Sequence, residues 1–221
     1  MKGNAVKGSA KRQWNGEPLV LFVEGYSDLC FYAELMEHLG KHARCFIQDL
    51  GGKGRTNLET QASLLLVPDK VDQMESVAVI LDADESAERA FALVQRSLKK
   101  VIGVDIPAQN VWVPGAPGKR TKFGVFIAGD PSAGTGEIET LAWLSWAGRA
   151  ENHPLRDCVS SYLDCARRAG RQLHSPDKAR VNTLLAVIHD EDPRLGPAAR
   201  ANVFDLEAAE LAQLRAFLAE M

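Results

Sequence analysis

Three apolar, strand-like runs in this chain each end in carboxylates. Leu19–Val23 leads to Glu24, residues 77–81 lead to Asp82-Ala83-Asp84, and residues 123–127 lead to Ala128-Gly129-Asp130. Short continuous runs of β-branched and aromatic residues, separated by helical segments, are how buried parallel strands read. In open α/β sheets the working crevice lies beyond the carboxyl ends of the strands. These acids are therefore expected at one edge of one sheet. Crowded carboxylates repel one another unless a cation sits among them, and hard oxygen ligands suit Mg²⁺ or Mn²⁺. The chemistry this points to is a divalent-metal site acting on phosphate.

Spacing sharpens the picture. Asp82 and Asp84 stand two apart at a strand end, so their side chains can share one side of the sheet and one cation. Acids at strand ends also serve as helix caps, and that role stays open for this pair. Glu24 sits at the tip of the first strand, with Asp28 in the first turn of the helix that follows. There the helix dipole favours an acid in any case. Asp130 lies in a Gly-Asp-Pro segment and reads equally as a turn residue.

The elements that must position these residues alternate between strand and helix. Ser27 is placed to cap a helix from Asp28 to Leu39 closed by Gly40. A second strand is expected at residues 44–49, ending in a Gly51-Gly52 turn, and a helix at about 57–66. Residues 86–100 show helical period, 111–113 a short strand, and 136–146 a further helix. The alternation means βαβ units and a largely parallel sheet. From about Leu155 the chain turns helical, with expected helices at 156–169, 176–190 and 206–220. The organisation is a mildly basic tail at 1–18, an α/β domain at 19–150, and a helical extension at 151–221 packing on the same domain.

Composition bounds the rest. The 221 residues are 46% apolar and 25% charged with a net charge of −3, ordinary values for a globular chain with ample core material. Overall basicity does not drive nucleic-acid binding here, so such contact needs local patches. Lys53 and Arg55 in the glycine-rich turn, with Lys119, Arg120 and Lys122 in the following loop, are the candidates for a phosphate backbone. Residues 51–54 are not a nucleotide-binding P-loop, because the upstream glycine and the Ser or Thr after the lysine are missing. Cys30, Cys45, Cys158 and Cys165 form no C-x-x-C pair and read as buried free thiols of a cytoplasmic protein. No run approaches the length of a membrane span. Trp112, Trp143 and Trp146 read as packing residues.

Residues 23–28 (Val-Glu-Gly-Tyr-Ser-Asp) and 80–84 (Ile-Leu-Asp-Ala-Asp) resemble the two signature motifs of the Toprim domain. Residues 134–139 (Gly-Thr-Gly-Glu-Ile-Glu) resemble the G-x-x-E element of small stand-alone Toprim proteins and OLD-type nucleases. The resemblance covers about residues 19–144. It implies a Rossmann-like Toprim fold that holds one or two Mg²⁺ or Mn²⁺ ions. Glu24 would serve as ligand or acid/base, Asp82 and Asp84 as ligands, and Asp28 and Glu139 as the further acids. Glu139 is preferred over Glu137 by the spacing from Gly136. Lys178 matches the lysine that OLD-type nucleases draw from beyond the last acid. It follows Ser175 as cap and Pro176 at the first helical position, where the dipole disfavours a cation. A lysine there either faces the acids or is a plain surface residue. The implied activity is metal-dependent cleavage of DNA or RNA, with an ABC-like ATPase working in trans. A metal-dependent binding module without catalysis is the alternative.

Overall fold

The computed structural model describes residues 13–52, 54–115 and 120–221. Its centre is a five-stranded sheet in the order β2-β1-β3-β5-β4. The strands are β1 (Leu19–Val23), β2 (Cys45–Asp49), β3 (Ser76–Asp82), β4 (Trp112–Pro114) and β5 (Lys122–Ala128). β1, β2, β3 and β5 run parallel, and the short β4 closes one edge antiparallel to β5. The fold is α/β and Rossmann-like, as the alternation of elements requires.

Side-chain alternation divides the sheet residues between two cores. Leu19, Leu21, Val23, Ala78, Ile80 and Phe126 pack with helices on one face. These are α1 (Tyr26–His38), α5 (Ile138–Ala147), α6 (His153–Arg168), α7 (Pro176–Ile188), α8 (Leu195–Arg200) and α9 (Ala212–Ala219). Val20, Phe22, Val77, Val79, Leu81, Phe123 and Val125 face the other side, against α2 (Gly54–Leu65) and α4 (Ala87–Ile102). The C-terminal helices thus share one core with the sheet. The short α3 (Pro68–Val71) bridges α2 to β3.

Several boundaries differ from expectation. Gly25, not Ser27, takes the N-cap position of α1, and Asp28 Oδ2 accepts the Gly25 N–H at 2.8 Å. The expected helix at 206–220 is a 3-10 turn (Ala209–Leu211) followed by α9, half the expected length. α8 was not foreseen: it starts Leu-Gly-Pro, too short and too broken to show a period. Its Gly196 lies against Cys30 of α1, where any side chain would collide. Within the expected tail, Trp14 packs on the second core and carries the Lys70 ammonium 5.9 Å from its ring centre. All four cysteines are free, but Cys158 and Cys165 are exposed on α6, not buried.

The chain leaves β1 for β2 on one side and reaches β3 on the other, so the strand order switches direction between β1 and β3. That is where a crevice opens in such sheets. Main-chain pairs knit the loops above it. Ala83 N–H donates to Ala128 O at 2.8 Å, and Asp84 and Gly136 exchange bonds of 2.7 and 2.8 Å. The loop after β5 is thereby folded back over the end of β3, delivering the start of α5 to Asp82. Gly136 makes this turn at φ 106°, and a methyl group there would lie 2.5 Å from Thr140 Oγ1. We expect Gly136→Ala to cost about 2–3 kcal/mol of stability in urea unfolding, from backbone strain and collision together.

Candidate metal centre

Asp82 is the last residue of β3. It follows Ala78 and Ile80 on the face toward α1, α5 and α7, and is buried there. β1 ends in register with β3, Val23 beside Ile80, so Glu24 emerges beside it from the neighbouring strand. Glu137 and Glu139 come from the first turn of α5. Asp82, Glu137 and Glu139 each offer an oxygen, and these oxygens lie within 4.8 Å of one another. Asp28, in the first turn of α1, is buried nearby and acts on Asp82 through its charge. Both glutamates weighed for the α5 position therefore enter the group, not Glu139 alone.

Lys178 answers the charge. Its Nζ donates to Glu137 Oε2 at 3.0 Å and lies 3.5 Å from Glu139 Oε1. Ser175 caps α7, accepting the Lys178 N–H at 3.2 Å, and its hydroxyl donates to Glu137. Burial alone would lower the Lys178 pKa, but Glu139 and Glu137 outweigh it and hold the ammonium above its ordinary value. Of the two readings of this lysine, the one facing the acids holds.

The acids also do structural work. Asp82 Oδ1 accepts the buried Ile138 N–H at 3.1 Å, placing a carboxylate at the N-terminus of α5. Asp28 does the same for α1 through Gly25. Strand-end acids can be helix caps, and Asp82 caps a helix four elements later in the chain.

Burial sets the titration of the group. It raises the Asp82 pKa well above the carboxylate range, reinforced by Asp28, Glu139, Glu24 and Glu137. It raises Asp28 too, against the Gly25 N–H and Lys178. It pushes Glu139 up to about 7 despite Lys178. Glu139 Oε2 is buried without a hydrogen bond among the described residues. The hydroxyl of Tyr32, fully buried on α1 one turn beyond Asp28, likewise has no partner among them. Burial and then the field of Asp82 raise its pKa. Buried polar atoms are rarely left so, and oxygen atoms facing clustered carboxylates fit a hard cation. Tyr32 escaped notice in the sequence, although its place four residues after Asp28 puts both on one helix face.

Other expected residues lie elsewhere. Asp84 is not one of the three converging acids: β3 ends at Asp82, and Asp84 turns to φ 49° with its side chain exposed at the cleft that Glu137 also lines. Asp130 is a turn residue, its Oδ1 accepting the Ser132 N–H at 2.8 Å and the Ser132 hydroxyl at 2.7 Å. Lys122 opens β5 beside Ser76, at the amino end of the strands, with Arg120 just before it. The sheet separates that end from Asp82 by about 20 Å at 3.3 Å per residue. Lys122 is also engaged there, bonded to the Glu220 carbonyl and 5.2 Å from the centre of the Trp112 ring. Lys53, Lys119 and the Arg55 side chain lie outside the described residues.

The fold and this group define an α/β protein with an acidic pocket at the switch point of its sheet. The family model described as "Protein of unknown function (DUF3226)" matches residues 18–221, and the chain belongs to that family. No curated protein and no solved structure matches it.

A buried acid whose folded pKa is raised holds its proton more tightly in the native state. The stability it contributes is complete below the unfolded value and is lost as pH rises through the folded one. We expect urea unfolding in a chelator to show stability falling by on the order of 2–3 kcal/mol between about pH 5 and 8. Glu139→Gln should flatten part of that fall, leaving the share that Asp82 and Asp28 contribute. Tyr32→Phe, which removes a buried hydroxyl lacking a partner, should leave the chelated protein at least as stable as wild type by the same measurement.

Proposed function

We propose that the protein is a Mg²⁺- or Mn²⁺-dependent nuclease that hydrolyses phosphodiesters in DNA or RNA. The observation that carries this is the convergence of Asp82, Glu137 and Glu139 on one point, with Asp28, Glu24 and Lys178 around it. Asp82, Asp28 and Glu139, raised by burial, are unfavourable for the fold alone, a cost often retained where a site works. Asp82, Glu137 and Glu139 would hold the cation, with Glu24 and Asp28 placed for a second. A divalent ion there supplies Lewis-acid polarisation of a phosphoryl oxygen and eases deprotonation of water.

The chain's own groups do the remainder. Lys178, kept charged by its two glutamates, offers a cation to the phosphate as negative charge grows on it. Glu24, at the tip of β1, is placed to take or return a proton. Asp82 and Asp28 keep the first turns of α5 and α1 in place, so that ligands and frame are the same residues. The resemblance of residues 23–28, 80–84 and 134–139 to Toprim motifs supports the same chemistry, and with OLD-type nucleases it brings the proposal of an ABC-like ATPase in trans. No helix among the described residues is long and apolar enough to cross a membrane. Four free thiols are in keeping with a cytoplasmic protein.

A second reading, a metal-dependent nucleic-acid-binding module that cuts nothing, is favoured by one observation. Lys178 already neutralises two of the acids from within the chain.

Mn²⁺ calorimetry on wild type and Asp82→Asn/Glu139→Gln, followed by incubation of both with mixed DNA and RNA, separates these readings. A nuclease binds Mn²⁺ and cleaves, and the double variant loses at least about tenfold in affinity and about a hundredfold in rate. Binding without cleavage selects the second reading. A wild type that takes no Mn²⁺ overturns both.

A further inference from the structure

An open cleft of about 790 Å³ adjoins the acidic group on the side of Glu137. The N-termini of α4, α5 and α7 open onto it, and the last turn of α6 forms its far wall. Each of the three N-termini presents the positive end of a helix dipole. Four cationic or protonatable side chains line the same walls: Arg89 from α4, Arg167 from α6, Arg180 from α7, and His174 just before the Ser175 cap. Arg167 pairs with Asp164, and Arg180 with Asp177. Arg89 makes no ion pair among the described residues, so its five donors face the cleft uncommitted.

What is missing from the walls narrows the occupant. Apart from His174 the described residues of the lining include no aromatic ring, and their largest aliphatic side chain is Pro176. Pockets for apolar small molecules are built otherwise, and there is no platform on which bases could stack. Guanidinium groups from three helices around one opening match a chain of phosphates, which they position without reading sequence. Asp84, Glu85 and Glu137 also line the cleft, as does Asp177 in its pair with Arg180, and these acids would repel such a polyanion on their own. A polyanion is accommodated beside them only once cations cover those acids.

We infer that this cleft seats the phosphodiester backbone of a nucleic-acid strand, gripped by Arg89, Arg167, Arg180 and His174 and admitted when a divalent cation occupies the adjoining acids. The inference rests on reading those acids as a metal site, and it goes beyond that reading by assigning the strand to one face. It also moves strand binding away from Arg120 and Lys122, which sit at the opposite end of the sheet.

The test is fluorescence anisotropy with labelled phosphorothioate oligo-dT and oligo-rU, which resist cleavage. Each probe spans about twenty nucleotides, more than one binding site of this kind requires. Titrations are run with Mn²⁺ and with chelator across a series of salt concentrations. Mn²⁺ should be required for tight binding. Arg89→Ala/Arg167→Ala should weaken it about tenfold and reduce the salt slope by about two, while Arg89→Lys retains most of it. Arg120→Ala/Lys122→Ala should bind as wild type does. Calorimetry on the same samples should show Mn²⁺ affinity unchanged in the arginine variants. The two probes tell a DNA strand from an RNA strand. Wild-type binding by the Arg89/Arg167 variant overturns the inference, as does loss of binding confined to the Arg120/Lys122 variant. So does a wild type that takes Mn²⁺ but no probe. A wild type that takes no Mn²⁺ sinks the metal reading instead, and this inference with it.

Discussion

The reciprocal main-chain bonds between Asp84 and Gly136 hold together the loops that follow β3 and β5. β3 and β5 are neighbours in the sheet, but their following loops could diverge as soon as the ladder ends. Asp84 and Gly136 extend the pairing beyond the strands by one antiparallel step, at 2.7 and 2.8 Å. Both residues adopt positive φ to do so. The start of α5 is thereby set over the end of β3, and the Asp82 carboxylate meets the Ile138 N–H. Everything described around the acids follows from that placement: Glu137 and Glu139 arrive together, α7 packs beside α5, and Lys178 reaches both.

The site is held between opposed forces. Burial disfavours the charge on Asp82, Asp28 and Glu139, and their mutual repulsion adds to it. Against this stand Lys178, the N-terminal dipoles of α1 and α5, and single N–H donors at Gly25 and Ile138. None of these alone matches the desolvation of a carboxylate, and the Oε2 atom of Glu139 remains without a hydrogen bond. Under the proposed reading, a cation would satisfy what the chain's own groups leave over. The acids also serve the frame, since removing Asp82 or Asp28 would undo a helix start.

How far the sequence disclosed this depended on whether each signal was local. β1, β3 and β5 are continuous apolar runs, and a run needs nothing beyond itself to be read. The α7 start was legible because Ser175-Pro176 is a self-contained cap. Asp84 could not be placed from spacing, because two-residue alternation holds only while the strand lasts and β3 stops at Asp82. Glu137 ranked below Glu139 for a like reason: spacing along α5 separates them, whereas the turn at Gly136 brings both inward. α8 was hidden by its Gly-Pro start, and Tyr32 by a role that depends on carboxylates far along the chain. The basic loops drew attention as clusters in the chain. Arg89, Arg167 and Arg180 come from three different helices, and no stretch of sequence places them side by side.

Lys178 belongs to the helical third of the chain, while the carboxylates it balances belong to the α/β part. Glu24 is among the first residues of the fold to be synthesised, and Lys178 among the last of this group. Contacts this distant are formed late, because loop closure must precede them. A growing chain that has completed β3 and α5 therefore carries the acids without their counter-charge. The centre gains its balance only when α7 docks, so the order of synthesis itself keeps the acidic pocket unfinished until nearly the whole domain has emerged.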